Sequence, residues 1–317
     1  MVFKPRSIPT PNHISPEAQA VLNKDRDFKY GNMGELSHEE WAQWRDKTNK
    51  FFGENRNKII AKAKVTLTPK KLGNVTAYLI SPHTINPDYK DNIILQFHGG
   101  GYMVLGGYAC VVEGTRLAAN SGINVMAVDY RVTPEHVFPA AYDDALTAYS
   151  ALLKDYKGSQ ISVEGTSAGG GLAACLILAA RQAGLPLPAS VAFNTPWTDL
   201  TGSGDSYNTI KGLDPILQRW EGGLEGMAKL YAGDTPRNDP RISPVFADCS
   251  GEFPPSVLVT GTRDLFLSDT VRLHRALRQA GHISELHVFE AGWHGLGFTP
   301  EANEASIEMT NFMKRYF

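Results

Sequence analysis

The chain has 317 residues, 42% apolar and 20% charged, an ordinary globular balance with length enough for one large α/β domain or two modest ones. A formal net charge of −2 and the lack of any basic run interleaved with aromatics argue against nucleic acid as a partner, and three widely spaced cysteines without a CxxC argue against a disulfide framework or structural zinc site. No run of 18 apolar residues occurs and the first residues lack an apolar leader, so a soluble, cytoplasmic protein without stable membrane insertion is expected.

Residues 1 to about 55 are polar, with Pro5, Pro9, Pro11 and Pro16 ahead of two expected helices. One begins near Ser15-Pro16-Glu17. The other begins near Ser37, where Ser37-x-x-Glu40 matches a capping box. Trp41, Trp44, Phe51 and Phe52 follow at roughly helical spacing, either to pack on the main body or to roof a pocket. From Ile59 strands take over. Lys62 to Leu67 and Asn74 to Ile80 read as an antiparallel pair joined by a turn at Lys70 to Gly73. Asn92 to Phe97 is a continuous apolar run, as a strand buried on both faces requires, and it leads into His98-Gly99-Gly100-Gly101-Tyr102. A helix (113–120), a buried strand (123–129) and a helix (140–154) follow.

The next segment is Ile161-Ser162-Val163-Glu164-Gly165-Thr166-Ser167-Ala168-Gly169-Gly170-Gly171, a strand that runs through Gly-x-Ser-x-Gly into a buried helix ending near Gly184. Such a tripeptide pattern arises by chance in about one chain in ten of this length. The strand before it and the helix after it raise its weight: a serine on so sharp a turn needs small neighbours, and the turn sets its hydroxyl at a helix N-terminus that favours negative charge. Ala189 to Phe193 is another strand. Residues 196 to 247 then interrupt the alternation with Gly, Asp and Pro and one expected helix from Leu213 to Tyr231. Strand 256–260, helix 268–280, strand 284–289 and helix 301–316 close the chain. Alternation of this kind implies right-handed crossovers and a mostly parallel sheet.

A serine hydroxyl needs a base to take its proton and a third group to orient that base. Asp264, after one late strand, and His294, after the next, stand in the chain order Ser, Asp, His. His287 lies inside a strand, His282 in a turn before it, and His98 upstream of the serine. Asp269 is the alternative acid, although it opens a helix whose dipole already explains it, and Glu290 lies close to His294 in sequence. The glycine loop after a buried strand suits backbone N–H donors for an oxyanion: Gly100 and Gly101, with Gly99 adjacent, joined by Ala168 beside the nucleophile.

With these residues in order the chain resembles the hormone-sensitive-lipase-like (family IV) esterases of the α/β-hydrolase fold. The resemblance rests on His98-Gly99-Gly100-Gly101, Asp129-Tyr130-Arg131-x-x-Pro134-Glu135-His136-x-Phe138-Pro139-Ala140-Ala141, Gly165-Thr166-Ser167-Ala168-Gly169-Gly170, Pro196-Trp197-x-Asp199-Leu200, Asp239-Pro240-x-x-Ser243-Pro244, Asp264 and His294-Gly295. It implies an eight-stranded, mostly parallel twisted sheet flanked by helices. The catalytic domain would be residues 56–199 and 246–317, with a helical cap from 1–55 and 200–245. It implies a Ser167–His294–Asp264 triad with Gly100, Gly101 and Ala168 as oxyanion hole, His98 and the Arg131–Glu135 region as structural braces, and Tyr102 and Trp197 lining the substrate pocket. Thr166, where many members carry Asp, resembles the subgroup with Gly-Thr-Ser-Ala-Gly. Leu265 stands where Pro is common, and Leu296 replaces the usual Phe after His-Gly.

The implied function is hydrolysis of short- to medium-chain carboxylic esters, small molecules, through an acyl-enzyme and without metal or organic cofactor. An amidase or deacetylase with the same triad is the alternative, and a non-catalytic small-ligand receptor on this scaffold a further one, disfavoured by the presence of His294. The edge strand 284–289 could pair across a homodimer.

Overall fold

The computed structural model describes residues 8–24 and 33–317, without the side chains of residues 35 and 51–58. Eight strands form one sheet: β1 (Val65–Leu72), β2 (Val75–Pro82), β3 (Ile93–Phe97), β4 (Asn124–Asp129), β5 (Ile161–Thr166), β6 (Ser190–Asn194), β7 (Ser256–Gly261) and β8 (Ser284–Phe289). Their order is β1-β2-β4-β3-β5-β6-β7-β8. β2 runs antiparallel to both β1 and β4, and every later pair is parallel. The first hairpin turns at Gly73 and Asn74 rather than over 70–73, because Gly73 supplies the positive φ (+61°) the tight reversal needs.

β3, β5 and β7 are buried at every position, the polar Gln96, Ser162 and Glu164 included. On one face lie α3 (Val111–Ser121) and α9 (Pro300–Lys314), packed on each other and on Ile94, Val125 and Val257. The other face is covered by α4 (Ala140–Leu152), α5 (Ala168–Gln182) and α8 (Leu267–Gln279), over Leu95, Phe97, Val163 and Leu258. All the parallel strands therefore deliver their carboxyl ends to one edge, where loops gather.

The remaining helices lie at that edge. α1 spans Pro16–Leu22 and α2 spans His38–Lys62, starting with the capping box at Ser37 and Glu40, a cap worth about 1 kcal/mol. α2 continues through residue 55, where a domain boundary was expected. Between α1 and α2, the turn Met33–Glu35 packs on an irregular turn, Trp220–Leu224, and on α7 (Glu225–Ala232). The single helix expected over 213–231 is instead a loop, the irregular turn Trp220–Leu224 and α7, preceded by a short helix α6 (Ser206–Thr209). Pro215 and the Gly222-Gly223 pair account for this, Gly222 taking φ +90° inside the turn. Trp41 is buried against α7, and its ring fills the space a side chain on Gly226 would need. Trp44 packs in the same apolar cluster with Met33, Val104 and Met227. Phe51 and Phe52 lie outside the described side chains.

The β5–α5 junction is the tightest point in the sheet. A Cβ on Gly169 would sit 2.1 Å from the Phe97 carbonyl oxygen, and one on Gly165 would sit 2.1 Å from the carbonyl oxygen of Gly169. Backbone cannot yield there as a flexible side chain could. Gly169→Ala is therefore expected to destabilise the protein by about 3 kcal/mol or more, read as the shift in a urea midpoint; an unchanged midpoint would show that α5 can move off β3.

Candidate active site

Ser167 occupies the turn between β5 and α5 with φ 57° and ψ −120°, a region that costs a non-glycine residue about 1–3 kcal/mol. Four backbone hydrogen bonds hold it there. Its N–H donates to Asn194 O at 2.9 Å, and its carbonyl accepts from the N–H groups of Gly170, Gly171 and Trp197 at 2.8 to 3.1 Å. The result is a hydroxyl at the N-terminus of α5, beside the N–H of Ala168, the first residue of that helix.

His294 and Asp264 converge on this hydroxyl from the loops after β8 and β7. His294 Nε2 lies 2.8 Å from Ser167 Oγ, and its Nδ1 lies 3.2 Å from Asp264 Oδ1. Asp264 is fully buried. Its other oxygen accepts from the Thr260 hydroxyl at 2.8 Å, and Oδ1 also accepts from Phe266 N at 3.0 Å. Burial alone would lower the basicity of His294, but the hydrogen bond and charge of Asp264, with Asp214 and Glu113 beyond, outweigh it and raise the imidazole above its ordinary value. The rival residues are elsewhere. Asp269 is engaged by the N–H groups of Thr198 and Asp199, His282 contacts the Cys249 carbonyl, and Glu290 is exposed.

Gly100 and Gly101 have φ +101° and +64°, and both border the same cavity as Ser167, His294 and Gly99. The N–H of Gly99 is turned the other way and donates to Glu113 Oε2 at 3.0 Å. His98 stacks on Tyr130 with ring centroids 4.1 Å apart, and Tyr130 donates its hydroxyl to the His98 carbonyl. Burial pushes the His98 imidazole down to about 4, so it is neutral. Arg131 forks onto Asp144 through bonds of 2.8 to 3.0 Å, and Glu135 pairs with Arg45 of α2.

The cavity measures about 230 Å³. Its wall includes Trp197, Phe266, Ile216 and Leu217, with Trp44 and Met227 above. Tyr102, expected at this wall, is instead buried behind it: its ring stacks on Tyr231 at 3.7 Å, and Thr133 donates to its carbonyl. A second cavity of about 550 Å³ adjoins the first and shares Leu105, Glu113, Thr166 and Gly295 with it.

Two carboxylates of the site escaped the sequence reading. Asp214 lies in the interrupting segment, at the start of the helix expected from Leu213 to Tyr231. Its Oδ1 accepts from Ile216 and Leu217 N–H, and its Oδ2 from the N–H of Leu265 (3.0 Å) and of His294 (3.3 Å). Burial and the neighbouring Asp264 charge push its carboxyl up, against the opposing pull of His294 and the N–H donors. Glu113 sits in the first turn of α3, where a carboxylate is explained by the helix dipole and attracts no attention.

Comparison with known proteins follows this geometry. The family described as alpha/beta hydrolase fold matches residues 94–298. An acetyl-hydrolase of Streptomyces hygroscopicus is 34% identical over 189 residues, which span 59% of this chain and 62% of that protein. The crystal structure of an esterase superposes with a TM-score of 0.94 at 31% identity, covering 100% of this chain and 99% of the other. An esterase from the bacterial hormone-sensitive lipase family gives a TM-score of 0.77 at 27% identity, covering 95% of this chain and 98% of the other. With a family match across most of the sheet and a near-complete superposition on a solved relative, the chain belongs to the α/β-hydrolase fold family, among its hormone-sensitive-lipase-like esterases.

Proposed function

We propose that this chain hydrolyses carboxylic esters of short- to medium-chain acids, with Ser167 as nucleophile, His294 as base and Asp264 as the group that orients it. The observation that carries this reading is the unbroken chain from Ser167 Oγ through the two nitrogens of His294 to Asp264 Oδ1, at the head of α5 and beside Gly100 and Gly101. With Nδ1–H donating to Asp264, the Nε2 lone pair faces the hydroxyl. His294 takes the Ser167 proton as Oγ attacks the ester carbonyl, and the oxyanion is received by the N–H groups of Gly100, Gly101 and Ala168. The imidazolium then protonates the departing alcohol. Water repeats the sequence against the acyl-enzyme, with His294 taking its proton and returning it to Ser167 as the acid leaves. Asp264 stays ionised throughout and stabilises the imidazolium.

In this reading residues 1–55 and 200–245 form the cap, and the packing of Met33 and Trp41 on the segment 220–232 supports it. The cavity of about 230 Å³ in front of Ser167 suits a short acyl chain with its ester, and the adjoining cavity of about 550 Å³ is the space a longer chain would have to enter. The name of the Streptomyces relative, an acetyl-hydrolase, agrees with a short acyl group.

Ser167→Ala should keep its fold by circular dichroism and lose at least about a thousandfold in kcat on p-nitrophenyl butyrate; a variant that still turns over at a tenth of the wild-type rate removes Ser167 from the mechanism. Across acyl chains from acetate to palmitate, kcat/KM should peak at six carbons or fewer, and a palmitate ester hydrolysed faster than butyrate would refute the short-chain assignment. Asp214→Ala leaves the Leu265 and His294 N–H groups without their acceptor, at about 1–3 kcal/mol each. Its kcat/KM should fall on the order of tenfold or more, and wild-type rates would mean that the cap segment does not position the triad.

A further inference from the structure

Behind the glycine loop lies a buried polar cluster that the mechanism above does not use. Glu113 of α3 projects toward the sheet edge, where its Oε2 accepts from Gly99 N–H at 3.0 Å and from the Gln96 amide at 3.2 Å. The carboxylate is close to the nucleophile. The point where a Cβ on Gly99 would sit is 3.3 Å from Glu113 Oε1 and 3.2 Å from Ser167 Cβ. Glu113 is also a wall of both cavities, so it is reachable from the side that holds Ser167 and His294 and from the side lined by His98, Arg116 and Asn194. A glutamate needed only to satisfy a helix N-terminus would face solvent on α3, not the reacting serine.

We infer that Glu113 is a positioning residue for the ester hydrolysis proposed above: it locks the glycine loop through Gly99 and places a negative charge on the far side of the serine that supports the His294 imidazolium. This rests on the triad reading. The groups that face it from each element are Arg116 on α3, Gln96 on β3, Glu164 on β5, Tyr130 after β4 and His294 after β8. Glu164 is fully buried. Its Oε1 accepts from the Thr166 hydroxyl at 2.9 Å, and burial together with the Glu113 charge pushes its carboxyl well above the usual carboxylate range. Thr166 in turn accepts from the Asn194 amide at 3.3 Å, which links the residue inside Gly-Thr-Ser-Ala-Gly to the same cluster. Tyr130 is held neutral by burial, leaving Arg116 as the neighbouring cation. Burial pushes the Glu113 carboxyl up to about 7, against the opposing pull of Gly99 N–H, Arg116, His294 and Gln96.

Glu113 is ionised above about pH 7 and then raises the proton affinity of His294; as pH falls through that value it becomes neutral and the support is withdrawn. His294 must be unprotonated to act as base, so its titration forms the acid limb of kcat/KM. Glu113→Gln keeps an acceptor for Gly99 and removes the charge. Above about pH 7, where the wild-type carboxylate is charged, its acid limb should lie lower than that of wild type by up to roughly half a pH unit, at most about a threefold gain in kcat/KM relative to each enzyme's own plateau, and the two profiles should converge near pH 6, where Glu113 is neutral in wild type. Glu164→Gln, at a carboxyl that bonds Thr166 and not the glycine loop, should leave the limb in place. If Glu113 only holds Gly99, Glu113→Gln leaves the limb where it lies in wild type, and that outcome overturns the proposal. As a second measurement that needs no variant, the ring nitrogens of His294 are followed by NMR across pH in wild-type protein. A second inflection near pH 7 supports the coupling, and a single-step titration refutes it. The NMR titration reads the coupling even if no ester is hydrolysed, so a failure of the proposed function is separable from a failure of this inference.

Discussion

Everything in the site depends on a backbone turn that Ser167 would not adopt unaided. The residue sits at positive φ because four hydrogen bonds and the crossing of α5 against β3 leave the chain no other path. That crossing is close enough to require glycine at 165 and 169, where any Cβ would meet a carbonyl oxygen at 2.1 Å. The strain is thus sustained by the sheet interior, and strands β3, β5 and β6 are each buried along nearly their whole length to provide it. The same arrangement aims the N-terminus of α5 at the space in front of the hydroxyl, so the constraint that strains the serine also sets the field around it.

Charge is the second organising element. One imidazole is surrounded by Asp264 at hydrogen-bond distance, Asp214 beneath its own backbone N–H, and Glu113 across the serine. Burial disfavours a charged histidine, and the acids reverse that preference. Such a grouping is poised for an imidazolium that exists only transiently. It comes from four different stretches of chain, one of them inside the segment that interrupts the strand–helix alternation. That segment therefore does more than cover the site: Asp214 joins its backbone to the loops that carry both Asp264 and His294.

The roof is built from two distant pieces. Met33 and Trp41 from the N-terminal part meet Trp220–Leu224 and α7 through close contacts at Gly34 and Gly226. They also meet the glycine loop through Val104, in the same cluster as Met103 and Leu105. The loop offered as oxyanion donor is accordingly clamped from above by apolar packing and from behind by Glu113.

The sequence by itself determined the fold class, since short strand segments with an apolar core alternate with helices along the chain. It also determined the elbow, because a positive-φ serine packed between backbones demands small neighbours at fixed offsets, and the order Ser167, Asp264, His294, because each falls just after a strand. Residues were legible where a local rule governs them. Boundaries failed where a glycine or proline overrode the periodic pattern, as at 213–231 and at the first hairpin. Tyr102 was expected at the pocket wall from the resemblance, yet it lies behind the wall, at a positive φ of 59° and with its ring stacked on Tyr231. Only the tertiary structure decided the roles of Asp214 and Glu113. Each stands in the first turn of an expected helix, where the dipole explains a carboxylate, and nothing in the chain says that Asp214 reaches across 80 residues to the backbone N–H of His294. Local physics is written in the sequence; the electrostatic neighbourhood of one histidine is a property of the closed fold.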